Sequence, residues 1–253
     1  YEECLDILMK LLEVANSGTR ITYLLGNHDF TISDVRGFDI LPHPKITFRL
    51  ARERYLPVRK YVGRGGENTG KAGAEKIPTS ALFRTIHGKK VFLAHGHEFN
   101  HYFRGNPQRF DAVIRAAGLL EEISPTLDDR LLGSAERLKN GIFKLLFDSH
   151  TPGREGMKPD ELEFLLAARD ICKYSVSEDG ELRKRDESDR IDYVFFGHTH
   201  EQLGPVVLRD DILGDSGKIW GTYFNTGTWV IMKKRSDYTV IETDGRISQL
   251  QWE

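Results

Sequence analysis

The sequence predicts an α/β fold, and three observations carry that prediction. Residues 1–15 show a helical apolar period that leads directly into a short apolar run, Ile21 to Leu25; helix followed by strand is the alternation of this class. Two further apolar runs, Val91 to Ala94 and Ile191 to Phe196, read as buried strands. All three runs end where a glycine stands beside histidine, asparagine or aspartate: Gly26-Asn27-His28-Asp29, His95-Gly96-His97, and Gly197-His198-Thr199-His200. In open α/β sheets ligands gather outside the carboxyl ends of strands, so these three ends are where chemistry is expected.

In chain order, Tyr1 to Ala15 reads as an amphipathic helix through Leu5, Leu8, Leu12 and Ala15, with Gly18 as its C-terminal cap. Ile21 to Leu25 then reads as a parallel, buried strand. Residues 31–80 are expected to be irregular apart from a strand near Thr47 to Leu50. Gly63 to Gly73, with five glycines among charged residues, reads as a mobile loop. It lacks the Gly-Lys-Ser/Thr ending and the strand-to-helix setting of a phosphate-binding loop, which excludes that reading. Leu82 to Ala94 reads as a hairpin turning at His87-Gly88.

Helical patterns follow at Arg109 to Leu120, Leu127 to Phe147 and Pro159 to Cys172, the last with proline near its start. Ser175 to Asp189 reads as a polar loop. After His200 the chain turns to β, with strand candidates at Pro205–Leu208, Ile219–Asn225, Trp229–Met232, Tyr238–Glu242 and Ile247–Trp252, and a hairpin turn at Asp244-Gly245. The expected organisation is one core built from residues 1–98 and 191–253, interrupted by a helical insertion or cap over 99–190.

Composition bounds the function. The chain has 253 residues, 39% hydrophobic and 10% aromatic, which suits a folded globular domain. No apolar stretch approaches the ~20 residues of a membrane-spanning helix. Two cysteines, Cys4 and Cys172, build no disulfide framework, so a cytoplasmic setting is the expectation. The net charge of −2 argues against a general nucleic-acid binder. Charge is nonetheless uneven: Arg36 to Lys90 holds 13 Lys plus Arg against 4 Asp plus Glu. Such a segment is either a solvated face or a surface for an anionic substrate or the inner face of a membrane.

The chemistry-bearing residues are His28, Asp29, Asn27, His95, His97, His198 and His200. Neutral imidazole is a common ligand for zinc, iron, manganese and nickel, and an asparagine oxygen also ligates metals. His28 is suited to proton donation, with Asp29 holding its ring and raising its pKa. Arg104 and Arg109 follow the second motif closely enough to meet a phosphate by bidentate contact.

These motifs in this order resemble the calcineurin-like metallophosphoesterases, from about Ile21 to the C-terminus. The resemblance implies a four-layer α/β/β/α sandwich with a helical insertion. It implies two divalent metal ions, manganese first and iron, zinc or nickel as alternatives. Asn27, His95 and His198 would hold one ion and His200 would help to hold the other. His28 would contact the phosphate and protonate the leaving oxygen. Asn225-Thr226-Gly227-Thr228-Trp229 resembles the turn that passes under the metal site. Two earlier family motifs, Asp-x-His and Gly-Asp-x-x-Asp, are absent, and with them the first strand or strands. The expectation is that the chain is a C-terminal piece of a longer protein.

The resemblance implies a phosphoester or diphosphate hydrolase. Its branch is similar to the UDP-2,3-diacylglucosamine diphosphatases, with a nucleotide-linked lipid as substrate, although that branch carries Arg where this chain has His28. A protein phosphatase, a cyclic-nucleotide phosphodiesterase or a nuclease of the same fold are alternatives. A non-catalytic, partner-binding scaffold is another, against which the intact motifs speak.

Overall fold

The computed structural model describes residues 2–24, 26, 43–49, 52–62, 67–99, 159–198, 202–212, 216–226 and 236–252. Helix α1 spans Glu2–Asn16, and its end follows the expected chemistry. Gly18 adopts φ 109°, and Gly18 N and Thr19 N donate to Ala15 O and Val14 O at 3.1 and 3.4 Å. A side chain at that φ would be strained, so glycine closes the helix. Strand β1 (Ile21–Leu24) pairs in parallel with β2 (Ile46–Arg49), Leu24 facing Arg49. Parallel pairing matches the sequence reading, but β1 is only half buried, with Thr22 exposed.

The centre is a five-stranded mixed sheet ordered β10-β11-β9-β6-β5. Its members are β5 (Leu82–Ile86), β6 (Lys89–Leu93), β9 (Tyr193–Phe196), β10 (Gln202–Arg209) and β11 (Ile219–Thr226). The β5–β6 hairpin turns at His87 (φ 49°) and Gly88 (φ 77°), two successive positive angles that match the right-handed twist of paired strands. β6, β9 and β11 run parallel, with Phe92 opposite Val194 and Tyr223 opposite Val194 on the other side. Their carboxyl ends therefore lie along one edge, and β6 and β9 are the ends that carry His95 and His198.

One face of this sheet is covered by α2 (Pro159–Lys173). Phe164, Leu165, Ala168, Ile171 and Cys172 recur at helical spacing and share one buried cluster with Phe92, Val194, Phe196 and Tyr223. The last helix of the 99–190 segment thus packs into the core. The opposite face carries a smaller cluster of Val91, Phe195 and Phe224, joined by Ile241 and Ile247 from a terminal hairpin. That hairpin, β12 (Ser236–Ile241) with β13 (Ile247–Trp252), turns at Asp244-Gly245 as expected, Gly245 having φ 84°.

Two expectations fail. Residues 52–79 are not irregular: β3 (Arg52–Val62) and β4 (Glu67–Thr79) form a long antiparallel hairpin that takes in most of the expected mobile loop. Leu56, Val58 and Ile77 turn from it into the α2 cluster. As a two-stranded ribbon it has no central strand, so Pro57, Pro78 and several glycines are tolerated. Those residues concealed it in the sequence. Nor is Ser175–Asp189 simply a loop. β7 (Tyr174–Val176) and β8 (Leu182–Lys184) pair across a turn in which Ser177 N donates to Glu181 O at 3.0 Å, and Gly180 (φ 87°) lies against the Tyr55 ring.

The helices expected at 109–120 and 127–147 and the strand at 229–232 lie outside the described residues. Among those described, no helix is long and apolar enough to cross a membrane. Cys172 is a buried free cysteine whose thiol burial pushes up to about 12, which makes it inert packing.

Candidate active site

Two of the three motifs meet because their strands are neighbours. Beyond the β6–β9 ladder, Ala94 N donates to Phe195 O at 3.1 Å and Gly197 N donates to His95 O at 3.0 Å. The second and third motifs are thus joined by backbone hydrogen bonds. The rings of His95 and His198 come to 5.2 Å between centroids. His97 joins them, 5.1 Å from His95 and 6.3 Å from His198. Gly96 permits the bend: its φ is 107°, and a Cβ there would lie 3.1 Å from Phe196 Cβ and 3.3 Å from His198 Cβ.

Gly26 brings the start of the first motif to the same place. A Cβ at Gly26 would lie 2.6 Å from His95 Cδ2 and 2.7 Å from its Nε2, so only glycine lets this backbone pass the imidazole. The other edge of His95 is held, with Nδ1 3.1 Å from Nδ1 of His97. One nitrogen donates and the other accepts, which holds the ring in place. A partner on Nδ1 is the usual orienting device for an imidazole that ligates through Nε2.

Glu98, which the sequence reading passed over, anchors this loop. It is 4% exposed. One carboxylate oxygen accepts from Thr79 Oγ1 at 2.8 Å; the other accepts from Gly96 N at 2.9 Å and lies 3.4 Å from His97 Nδ1. Thr79 Oγ1 in turn accepts from Ala81 N at 3.0 Å. The end of β4 is therefore linked to the loop that presents His95. The one signal in the sequence was a glutamate set between His97 and Phe99, a residue that goes on to be buried.

On the third motif, His198 packs against Phe164 of α2, ring centroids 5.7 Å apart, and its Nδ1 is buried. Below it, Thr226 Oγ1 donates to Phe196 O at 3.4 Å and the buried Asn225 donates through Nδ2 to Tyr223 Oη at 3.3 Å. Burial keeps the Tyr223 phenol protonated by pushing its pKa upward. This end of β11 thus packs against the start of the third motif; Gly227, Thr228 and Trp229 of the expected turn lie outside the described residues.

A model of the calcineurin-like phosphoesterase family matches residues 1–202, from the first helix to just past the third motif. The chain belongs to the calcineurin-like phosphoesterase family. That family performs metal-dependent phosphoester hydrolysis and typically uses two divalent metal ions. No curated protein matches the chain. The α/β class and the mixed sheet agree with the fold expected of a calcineurin-like domain.

Of the donors expected from the sequence, the described residues bring two together. His95 and His198 are imidazoles on adjacent strand ends, and Gly26 is tailored to the His95 ring. Among the described residues, no group of three or more His, Cys, Asp or Glu side chains is arranged to hold a metal ion. Asn27, His28, Asp29, Arg104, Arg109 and His200 lie outside the described residues.

Proposed function

We propose that this calcineurin-like chain hydrolyses a phosphoester or diphosphate bond at the shared end of β6 and β9. The observation that supports it is the juxtaposition of His95 and His198, 5.2 Å apart, against the backbone of Gly26. In this reading Asn27, His95 and His198 hold one divalent ion and His200 helps to hold a second, manganese being the first metal to test. Bound ions of this kind lower the pKa of water and neutralise phosphate charge.

The chain's own residues do the rest. Glu98 and His97 hold the His95 ring in one orientation. His28, held by Asp29, delivers a proton to the leaving oxygen. His97, Arg104 and Arg109 contact the phosphate. A nucleotide-linked lipid is the substrate to screen first, with contact at a membrane surface as its corollary.

Metal content by elemental mass spectrometry, with bis-p-nitrophenyl phosphate turnover on the same sample, tests the reading. The wild-type chain is expected to carry divalent metal and turn over. His198→Ala should lower both, kcat/KM by about 100-fold. His28→Ala should lower kcat by about 10²–10⁴-fold, the usual worth of a general acid, and keep the metal. Turnover that survives His198→Ala sinks the metal assignment. Metal retained without turnover would turn the reading to a binding scaffold.

A further inference from the structure

The inward face of β4 carries a polar residue where an apolar one is expected. Burial alternates along the end of the strand: Lys76 and Pro78 are exposed, while Ile77 and Thr79 are buried. Ile77 belongs to the apolar cluster under α2, together with Leu56 and Val58 of β3. Thr79 lies on the same face, 2% exposed, and brings a hydroxyl into the interior. Valine has the same branched shape and no polar group to bury, whereas a buried hydroxyl costs free energy unless it is hydrogen-bonded.

This hydroxyl has two partners. Ala81 N donates to Thr79 Oγ1 at 3.0 Å, and the single hydroxyl proton then goes to Glu98 Oε1 at 2.8 Å. The Gly96 amide donates to Glu98 Oε2 at 2.9 Å, so both carboxylate oxygens are held. Oε2 lies 3.4 Å from Nδ1 of His97, and that nitrogen lies 3.1 Å from Nδ1 of His95. Phe99 N closes the same turn on Gly96 O at 3.0 Å. At the other end of this chain of contacts the ribbon is anchored. Arg59 of β3 pairs with the buried Asp170 of α2 at 2.6 Å, and Leu56, Val58 and Ile77 share a core with that helix.

We infer that Thr79 is a positioning residue for the histidine site: acting through Glu98, it sets the placement of His97 and His95, and makes the β3–β4 ribbon part of the site's framework. Its effect on a bound ion rests on the metal-dependent reading above; its effect on the His95 ring rests on the hydrogen bonds alone.

Two variants separate the hydroxyl from the shape of the side chain. Thr79→Val removes the hydroxyl, and Thr79→Ser keeps it. Each full chain, once circular dichroism shows it folded, is compared with wild type in two ways: the ring-nitrogen NMR signals of His95 without metal at one pH, and calorimetric titration with Mn²⁺. Thr79→Val is expected to displace the His95 signals and to weaken Mn²⁺ by about tenfold or more, the usual effect of losing a group that orients metal ligands. Thr79→Ser is expected to match wild type in both. A threonine that only stabilises the fold would leave the His95 signals where they are. If Thr79→Val does not fold, Thr79→Ala is expected to displace the same signals. Unmoved His95 signals in a folded chain without the hydroxyl overturn the inference, as does an equal displacement in Thr79→Ser. A wild-type chain that takes up no Mn²⁺ overturns the metal-dependent reading instead, and the His95 signals still decide the role of Thr79.

Discussion

At the residue scale, the site depends on two kinds of side chain, those the motifs announce and those that hold them still. His95 and His198 are of the first kind, Glu98 and Thr79 of the second. Glu98 satisfies two donors, the Gly96 amide and the Thr79 hydroxyl, in a place closed to water. Removing it leaves both without their acceptor, and each such loss costs about 1–3 kcal/mol. Glu98→Ala should therefore lower unfolding free energy by about 2–5 kcal/mol in urea denaturation. Glu98→Gln keeps one carbonyl oxygen and should cost roughly half as much. Equal losses in the two variants would mean that the cavity left by the side chain matters more than its hydrogen bonds.

At the element scale, closeness of approach decides what the sheet can carry. Helix α2 lies so near β11 that a Cβ on Gly221 would sit 2.7 Å from Cys172 Sγ and 2.9 Å from Ile191 O. Gly221→Ala should cost about 1–3 kcal/mol by overpacking. Adding Cys172→Ala relieves the sulfur but not the carbonyl, so thermal denaturation should show partial rescue; full rescue would mean that the backbone yields freely.

The same scale explains what the sequence disclosed. β6, β9, β11 and α2 were legible because they are apolar runs or stripes with clear ends, and His87-Gly88 and Asp244-Gly245 because a two-residue turn with positive φ has its own signature. His95 and His198 followed as residues at strand ends. The β3–β4 ribbon was not legible, since its prolines and glycines are permitted only by its lack of a central strand. Glu98 was not legible either, because its partner Thr79 lies 19 residues away in sequence and meets it only in the fold.

At the scale of the whole molecule, one charged network ties the ribbon, the helix and the sheet. Asp170 of α2 accepts from Arg59 of β3 at 2.6 and 3.2 Å and pairs with Arg169 at 3.2 Å. Arg169 donates to Asp210 O at 2.9 Å, and the Asp210 carboxylate accepts from Lys173 at 2.7 Å and from Trp220 at 2.8 Å. Asp170 is 1% exposed, and burial pushes its carboxyl up to about 6 against the pull of Arg59 and Lys173. Its unfolded value is near 3.8. Between those values the folded chain holds the proton and the unfolded chain does not, so this residue's contribution to stability falls as pH rises through the window. At about 1.36 kcal/mol per unit, the change is at most about 3 kcal/mol. Asp179, Asp186, Glu187 and Asp244 are held below their ordinary values by hydrogen bonds and cations, and they act in the opposite direction at lower pH. Comparison of wild type with Asp170→Asn isolates the buried group, because the surface acids are common to both. Between pH 4 and 6.5, urea denaturation should show the variant's stability rising relative to wild type. A variant that instead loses ground as pH rises would show that Arg59 overrides burial and holds Asp170 ionised, so that the pair fastens the ribbon to the helix most firmly at neutral pH.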